Sequence, residues 1–248
     1  MAQDSYPAAL YELVHRGTPG DLQFYDQVCA GAHRVLELGC GYGRVLEHLR
    51  SPERTVVGLD LHAGLLQRAR QRLGPGVQLH QGDMRDFNLA QTFDRILIPY
   101  CGLYCLVDDE SVQACLRTAR KHLAPGGKIA MDAYVGELFL HAEPSEDHEA
   151  EMLNEVLTVD DGQHLWRVLE RSNFEAQAQR LEVTYVHLAD DGRPAVEGRI
   201  PQRFLLRGQI QRHLDEAGFE IERFGEAFDA GPYDEDGDIW ALVARRVE

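Results

Sequence analysis

The stretch Glu37-Leu38-Gly39-Cys40-Gly41-Tyr42-Gly43-Arg44 decides the fold of this protein. It directly follows an apolar run that has the composition of a buried strand, and a helical pattern begins at Arg44. Glycines at alternate positions let the backbone approach a ligand closely, and the helix that follows points its positive N-terminal end at that ligand. The sequence therefore predicts a ligand-binding turn between the first strand and the next helix.

The residues around the glycines indicate the charge of the ligand. A dinucleotide-binding turn has the pattern GxGxxG, whose third glycine permits close packing of helix and strand. Here Arg44 occupies that third position, and the acidic Glu37 precedes the glycines. This arrangement favours a ligand that carries a positive charge over a pyrophosphate. A nicotinamide-dependent oxidoreductase therefore remains only as an alternative.

Short apolar runs alternate with helical patterns through the first half of the chain, which is typical of β-α units on a parallel sheet. Strands are predicted at 34–39, 55–60, 77–80, 93–100 and 128–134, and helices at 44–49, 63–73 and 109–123. A further helix at 207–217 and two short apolar runs follow near the end of the chain. The pattern predicts an α/β protein with a doubly wound, Rossmann-like sheet.

The pattern changes between residues 136 and 206. Asp160-Asp161-Gly162 and Asp190-Asp191-Gly192 each separate two runs of alternating apolar residues, and Asp-Gly in that position favours a β-hairpin. We expect an antiparallel insertion of three or four strands, serving as a substrate cap or an oligomer interface. The chain then divides into a core with an N-terminal cap segment at 1–135, the insertion at 136–206 and a return to the core at 207–248.

Composition excludes several classes of function. The 248 residues include 25 Lys and Arg against 41 Asp and Glu, and the formal net charge of −16 disfavours DNA or RNA as a partner. No apolar run approaches the ~20 residues of a membrane span, and the first residues lack a signal-peptide pattern, so we expect a cytoplasmic protein without a membrane partner. The 5 cysteines are not spaced for zinc or for a disulfide framework, and no metal is expected.

Four elements in the same order resemble the class I S-adenosylmethionine-dependent methyltransferases, in particular those that act on small molecules. The first is the glycine-rich turn, and the second is Asp60 at the end of the next strand. The third is the segment 82–87, which contains Asp83 and Met84, and the fourth is Leu-Ala-Pro-Gly-Gly-Lys-Ile at 123–129. The resemblance implies a seven-stranded sheet whose last strand runs antiparallel, with S-adenosyl-L-methionine as cofactor and S-adenosyl-L-homocysteine as product.

The resemblance also implies roles for single residues. Asp60 would bind both ribose hydroxyls, and Asp83 and Met84 would meet the amine and the ring of adenine. Tyr25, or less favourably Tyr11, would bind the methionine carboxylate, and core packing of Tyr25 is the alternative. The cofactor-binding residues so implied are Tyr25, Glu37, Gly39, Cys40, Gly41, Asp60, Leu61, Asp83, Met84 and Pro99.

The methyl group would move by in-line displacement to a small-molecule acceptor, with an amine favoured and a hydroxyl as the other option. Ligands of doubly wound sheets bind at the carboxyl ends of the strands, so Tyr100 and Tyr104 are predicted to shape the methyl path. Aromatic packing beneath a loop is their alternative role. His141 is a candidate general base or, alternatively, a surface histidine. A non-catalytic cofactor-binding regulatory protein and a homodimer formed through edges of the insertion also remain open.

Overall fold

The residues described in the computed structural model, 6–141, 153–228, 231–235 and 237–248, form two β-sheets with α-helices packed around the larger one. The helices are α1 (Ala8–Val14), α2 (Asp21–Val28), α3 (Arg44–Leu49), α4 (Ala63–Leu73), α5 (Asp109–His122), α6 (Leu138–His141) and α7 (Arg207–Glu216). The strands are β1 (Arg34–Leu38), β2 (Thr55–Asp60), β3 (Gln78–Gln81), β4 (Phe93–Ile98), β5 (Leu123–Tyr134), β6 (Asn154–Asp160), β7 (Leu165–Glu175), β8 (Arg180–Ala189), β9 (Val196–Arg203), β10 (Phe219–Glu226) and β11 (Ile239–Arg246).

The larger sheet has seven strands in the order β10-β11-β5-β4-β1-β2-β3. In this order the five strands β5, β4, β1, β2 and β3 pair in parallel with their neighbours. Strand β11 runs antiparallel to both β5 and β10. The predicted fold class, with its antiparallel last strand, is confirmed. The strand order reverses between β1 and β4, and ligands of doubly wound sheets bind beside such a reversal.

Burial explains why these segments form the centre of the sheet. Leu36 and Leu38 on β1 and Val57 and Leu59 on β2 are at most 2% exposed, as expected of parallel strands covered on both faces. Helix α4 buries one face of its own against the sheet, and its apolar residues recur at helical spacing. Hydrophobic burial at about 25 cal/mol per Å² makes this double-sided core the main stabilising contribution.

The predicted antiparallel insertion forms the smaller sheet, in which β6, β7, β8 and β9 pair in chain order. Both predicted Asp-Gly hairpin turns are present, with Gly162 at φ 84° and Gly192 at φ 76°. Helix α1 packs on this sheet through Leu10, beside Val159 and Trp166. Strand β9 contacts the 3-10 helix Gly102–Cys105, which follows β4. The insertion therefore lies over the carboxyl end of β4, where a ligand is expected.

Two strand boundaries differ from the predictions by more than one residue. Strand β5 begins at Leu123 because Leu123 already pairs with Phe93, and the Pro125-Gly126-Gly127 segment is accommodated as an irregularity before the next pair. Strand β4 ends at Ile98, and beyond it Tyr100 and Cys101 adopt left-handed backbone conformations instead of the extended conformation of a regular strand. Among the residues that the structure describes, no helix combines the length and the apolar character needed to cross a membrane.

Candidate cofactor and acceptor site

A cavity of about 400 Å³ opens at the carboxyl ends of β1, β2 and β4, beside the reversal of strand order. Nine of the ten predicted cofactor-binding residues line it: Glu37, Gly39, Cys40, Gly41, Asp60, Leu61, Asp83, Met84 and Pro99. We call this part of the cavity the cofactor half. The remaining lining residues include Tyr6, Tyr11, His15 and Tyr100, together with Arg199, Ile200 and Pro201 of β9. We call that part the acceptor half.

The glycine-rich turn leaves open space above its backbone. Gly39 has φ 71° and Gly41 has φ 52°, which L side chains rarely adopt. A Cβ added at Gly41 would meet nothing within 4 Å, and one at Gly39 would lie 3.4 Å from the Met84 methyl group. A ligand can therefore contact the backbone of this turn directly, because the glycines have no side chains that would occupy the space.

Asp60 joins the turn to the end of β2. Its Oδ2 accepts a hydrogen bond from the Gly41 N–H at 2.7 Å, and its Oδ1 accepts one from the His62 N–H at 2.7 Å. Burial raises the pKa of Asp60, although these backbone hydrogen bonds oppose the shift. Each carboxylate oxygen has a further lone pair, so the pair of oxygens can also accept two ribose hydroxyls.

Glu37 and Arg44 both line this end of the cavity, and the charge of Arg44 acts on the Glu37 carboxyl group. Glu37 is only 3% exposed, and within the described part of the chain its Oε2 has no hydrogen-bond partner. Burial raises the pKa of Glu37 well above its ordinary value, whereas the nearby Arg44 lowers it. Arg44 lines the cavity and is held by Asp21, which accepts hydrogen bonds from both terminal nitrogens. An unsatisfied carboxylate beside a guanidinium fits the ammonium and carboxylate of an amino acid.

Arg44 was not among the predicted binding residues. In the sequence it stands out only as a departure from the dinucleotide pattern. The available signal was a cation at the first position of the helix that follows the turn, where a ligand carboxylate also benefits from the helix dipole.

Asp83 and Met84 lie at the opposite end of the cofactor half. Asp83 is one-third exposed and forms an ion pair with Arg85 at 2.6 Å, and hydrogen bonds from Arg85 lower the pKa of Asp83. Met84 packs over Gly39, so its side chain provides an apolar surface for a flat ring. Leu61, which is 43% exposed, adds a second apolar side chain beside Asp60.

The structure corrects two of the predicted tyrosines. Tyr25 is fully buried, is not among the residues that line the cavity, and donates its hydroxyl hydrogen bond to Asp132. Tyr104 is also fully buried away from the cavity; its hydroxyl contacts the Tyr134 and Leu205 carbonyl oxygens and accepts the Trp240 indole N–H, each at 3.0 Å. Both therefore pack in the core, which was the alternative for each.

Of the other aromatic and histidine predictions, the structure places Tyr100 and Tyr11 at the cavity. His141 is the last residue of α6, and its side chain lies outside the described residues. The acceptor half thus takes its tyrosines from the N-terminal segment and from the turn after β4.

A cluster of neutral aromatic and imidazole rings forms one wall of the acceptor half, which Arg199 of β9 also lines. The ring centroids of Tyr11 and His15 are 4.1 Å apart, those of Tyr6 and Tyr11 are 5.5 Å apart, and those of His15 and Tyr100 are 6.1 Å apart. The Tyr6 hydroxyl lies 2.9 Å from His187 Nε2. Burial, with a smaller contribution from His187, lowers the pKa of His15 to about 3, so His15 is uncharged at neutral pH.

Sequence reasoning did not select Tyr6 or His15 for this site. Tyr11 and His15 are four residues apart, which places them on one face at the end of α1, and that spacing was a usable signal. The contribution of Tyr6 gave no local signal, because it depends on contacts with β8 and β9.

The site therefore combines a glycine-rich turn, a buried carboxylate at the end of β2 and an acidic and a basic side chain at the carboxyl edge of a doubly wound sheet, which defines an α/β ligand-binding protein. Residues 35–127 match the family model described as a methyltransferase domain. A dTDP-3-amino-3,6-dideoxy-alpha-D-glucopyranose N,N-dimethyltransferase of Streptomyces fradiae is 29% identical over 226 residues, which cover 87% of this chain and 84% of that enzyme. A dTDP-3-amino-3,4,6-trideoxy-alpha-D-glucopyranose N,N-dimethyltransferase of Streptomyces venezuelae is 32% identical, with 65% of this chain and 64% of that enzyme covered.

Solved structures agree with these sequence comparisons. The CcbJ methyltransferase from Streptomyces caelestis superposes with a TM-score of 0.80 at 21% identity, covering 100% of this chain and 99% of that one. CalS10 from Micromonospora echinaspora, an amino pentose methyltransferase with S-adenosylmethionine bound, gives a TM-score of 0.70 at 25% identity and 96% coverage of both chains. Together these comparisons support an S-adenosylmethionine-dependent methyltransferase, with the matched methyltransferase domain at residues 35–127. The predicted enzyme class and cofactor are thereby confirmed.

Proposed function

We propose that this enzyme methylates the amine of an amino sugar or a similar small metabolite. The observation that carries the proposal is the neutral wall of tyrosine and histidine rings directly beside the cofactor half of the same cavity. The two curated relatives described above, which are dimethyltransferases of dTDP-amino sugars, support the same acceptor class.

The cofactor half provides a partner for each part of S-adenosylmethionine. We assign the α-ammonium to the unpartnered Oε2 of Glu37 and the α-carboxylate to Arg44. Asp60 accepts the ribose hydroxyls, and Asp83 and Met84 meet adenine. When bound, the cofactor supplies a methyl group on a sulfonium, which is an electrophile without further activation. The protein then contributes mainly position and exclusion of water.

The electrostatics of the acceptor half favour an amine. Burial raises the pKa of Tyr100 to about 12 and lowers that of His15 to about 3, so neither ring is charged at neutral pH. An uncharged, partly dry wall disfavours an ammonium ion relative to the free amine, because desolvation penalises the charged form. The amine therefore binds with its lone pair free to attack the methyl group. The faces of the tyrosine rings then stabilise the positive charge that develops on nitrogen, and the product ammonium releases its proton to solvent.

The same groups are poorly suited to a hydroxyl acceptor. A hydroxyl must lose its proton as it is methylated, and a base is effective when its pKa lies near the working pH. The pKa of His15 is about 3, so its imidazole is a weak base for that task. The amine needs no such base, because its lone pair is free before transfer. This difference favours N-methylation over O-methylation.

The test uses labelled S-adenosylmethionine with three acceptors: a dTDP-linked 3-amino sugar, the same sugar without the nucleotide, and the dTDP-linked sugar with a hydroxyl in place of the amine. We expect label on the amine only, first as the monomethyl and then as the dimethyl product. Label on the hydroxyl sugar alone would contradict N-methylation. Tight cofactor binding without transfer to any acceptor would instead support the non-catalytic regulatory alternative.

The insertion is proposed to act as the substrate cap, because Arg199, Ile200 and Pro201 of β9 line the acceptor half. The division at 1–135, 136–206 and 207–248 follows from that role. We further propose a cytoplasmic homodimer that pairs through the edge strand β6, where Val156 is 49% exposed and Leu165 on β7 is 46% exposed. Light scattering after size-exclusion chromatography tests it: a Val156→Lys variant should shift the mass to that of one chain.

A further inference from the structure

The turn after β4 holds two consecutive residues in an unfavourable backbone conformation. Tyr100 has φ 53° and Cys101 has φ 59°, and neither is a glycine. Such left-handed conformations are unfavourable for residues with a Cβ, and they persist only where the surrounding structure fixes them. They concentrate at functional sites, and here Tyr100 lines the acceptor half of the cavity.

A single residue of the neighbouring strand binds both strained residues. Asp132 on β5 accepts the Tyr100 N–H on its side-chain Oδ1 at 3.0 Å and the Cys101 N–H on its main-chain oxygen at 3.0 Å. The same Oδ1 accepts the hydroxyl hydrogen bond of Tyr25, which reaches it from α2. The strained turn is thus bound from β5, and the Tyr25 hydroxyl on α2 binds the same carboxylate oxygen.

The cost of burying this carboxylate suggests a purpose beyond stability. Asp132 is 2% exposed, and in the part of the chain that the structure describes its side-chain hydrogen bonds come from a hydroxyl and a backbone N–H, not from a cation. A buried carboxylate with only neutral donors is expensive to desolvate. Asp132 itself is not among the residues that line the cavity, so it acts on the site through Tyr100.

We propose that Asp132, braced by Tyr25, is a positioning residue that fixes the left-handed turn and thereby places the Tyr100 ring in the path of the acceptor. The activity readout of this proposal rests on the proposed function, whereas its backbone readout does not. Tyr25, which the sequence assigned to the cofactor, instead contributes to the acceptor half indirectly, through its hydrogen bond to Asp132.

The first measurement is amide hydrogen exchange, resolved to the Tyr100 amide, in three variants of the full chain. Asp132→Ala removes the acceptor, and Asp132→Asn retains an oxygen for the same two donors. The matched control is Asp94→Ala, because Asp94 Oδ2 also accepts two backbone N–H groups, those of His33 at 2.8 Å and Arg34 at 2.9 Å, at the opposite end of β4. We expect Asp132→Ala to speed exchange of the Tyr100 amide by about tenfold or more, and the other two to leave it unchanged.

The second measurement separates turnover from cofactor binding. Misplacing a group at the reacting centre by about 1 Å can lower the rate by about 10²-fold, so we expect a loss of that order in kcat for Asp132→Ala. The dissociation constant of S-adenosylhomocysteine should change by less than about threefold, since Asp132 does not line the cofactor half. Asp132→Asn should recover most of the turnover, and Asp94→Ala should lower the melting temperature without lowering kcat.

Equal behaviour of Asp132→Ala and Asp94→Ala in exchange and in turnover would overturn the proposal. If Asp132→Ala does not fold, Tyr25→Phe takes its place, and an unchanged Tyr100 amide together with an unchanged kcat in Tyr25→Phe would overturn it as well. If the wild-type enzyme transfers methyl to no acceptor, the proposed function fails, and the exchange of the Tyr100 amide still decides whether Asp132 fixes the turn.

Discussion

Removing the negative charge of Glu37 tests the assignment of the cofactor half most directly. Its buried Oε2 is the atom we assign to the α-ammonium of the cofactor, and Glu37→Gln keeps the size of the side chain while removing the charge. A hydrogen bond to a charged group contributes about 1.5–3 kcal/mol, so S-adenosylhomocysteine should bind about 10- to 150-fold more weakly. Methylthioadenosine, which lacks the amino-acid end, should bind both proteins equally well.

The raised pKa of Glu37 adds a dependence on pH whose sign can be worked out. In the free protein burial favours the protonated acid, whereas binding an ammonium favours the ionised carboxylate. Binding therefore releases a proton wherever the pH lies below the free-protein pKa. In that range the affinity for S-adenosylhomocysteine should rise with pH, by at most about tenfold per pH unit, and should become flat above it. Methylthioadenosine should show no such dependence.

Calorimetric titration provides the assay, because it reports the dissociation constant and, in buffers of different ionisation enthalpy, the number of protons released. Glu47→Gln is the control: Glu47 lies on α3, its side chain is 51% exposed, and its ion pair is with Arg72 outside the cavity. That control should bind both ligands as the wild type does. The reasoning is refuted if Glu37→Gln weakens both ligands by the same factor, or if the wild type releases no proton at any pH tested.

Three further variants test other parts of the cavity. Arg44→Met should weaken the binding of S-adenosylhomocysteine by about tenfold or more, because the contact with its carboxylate is lost, and should leave the binding of methylthioadenosine unchanged. Equal loss of affinity for both ligands would contradict that role. Asp60→Ala should weaken the binding of both ligands by about 10²-fold, because both carry the ribose. An unchanged dissociation constant in calorimetry would show that Asp60 does not bind the ligand. Gly198→Ala on β9 should raise KM for the acceptor without altering cofactor affinity, since its Cβ would overlap the Tyr6 ring; steady-state kinetics with an unchanged KM would count against Tyr6.

Local sequence was sufficient for the cofactor half, because that half is built from short segments at strand ends. The glycine-rich turn, Asp60 and the pair Asp83 and Met84 each follow a strand that was recognisable from its apolar run. Parallel strands bring their carboxyl ends to one edge of the sheet, so the spacing of these motifs along the chain already implied that they meet. Nine of the ten residues so predicted line the cavity.

The acceptor half depends on contacts between distant segments. Tyr25 and Tyr104 carry the same side chain as Tyr6 and Tyr11, yet the first two are held in the core by Asp132 and by carbonyl oxygens of Tyr134 and Leu205, while the others face the cavity. No local pattern distinguishes them, because a tyrosine hydroxyl can find its hydrogen-bond partner either inside the core or in the water at the edge of a cavity.

The sequence by itself therefore determined the fold class, the cofactor and the enzyme class, since periodicity and glycine spacing act over a few residues. Which rings form the acceptor half was decided only by the tertiary structure. Helix α1 is positioned there by packing on the insertion, and the left-handed turn at Tyr100 is bound by Asp132 on another strand. Such long-range contacts leave no trace in the spacing of residues along the chain.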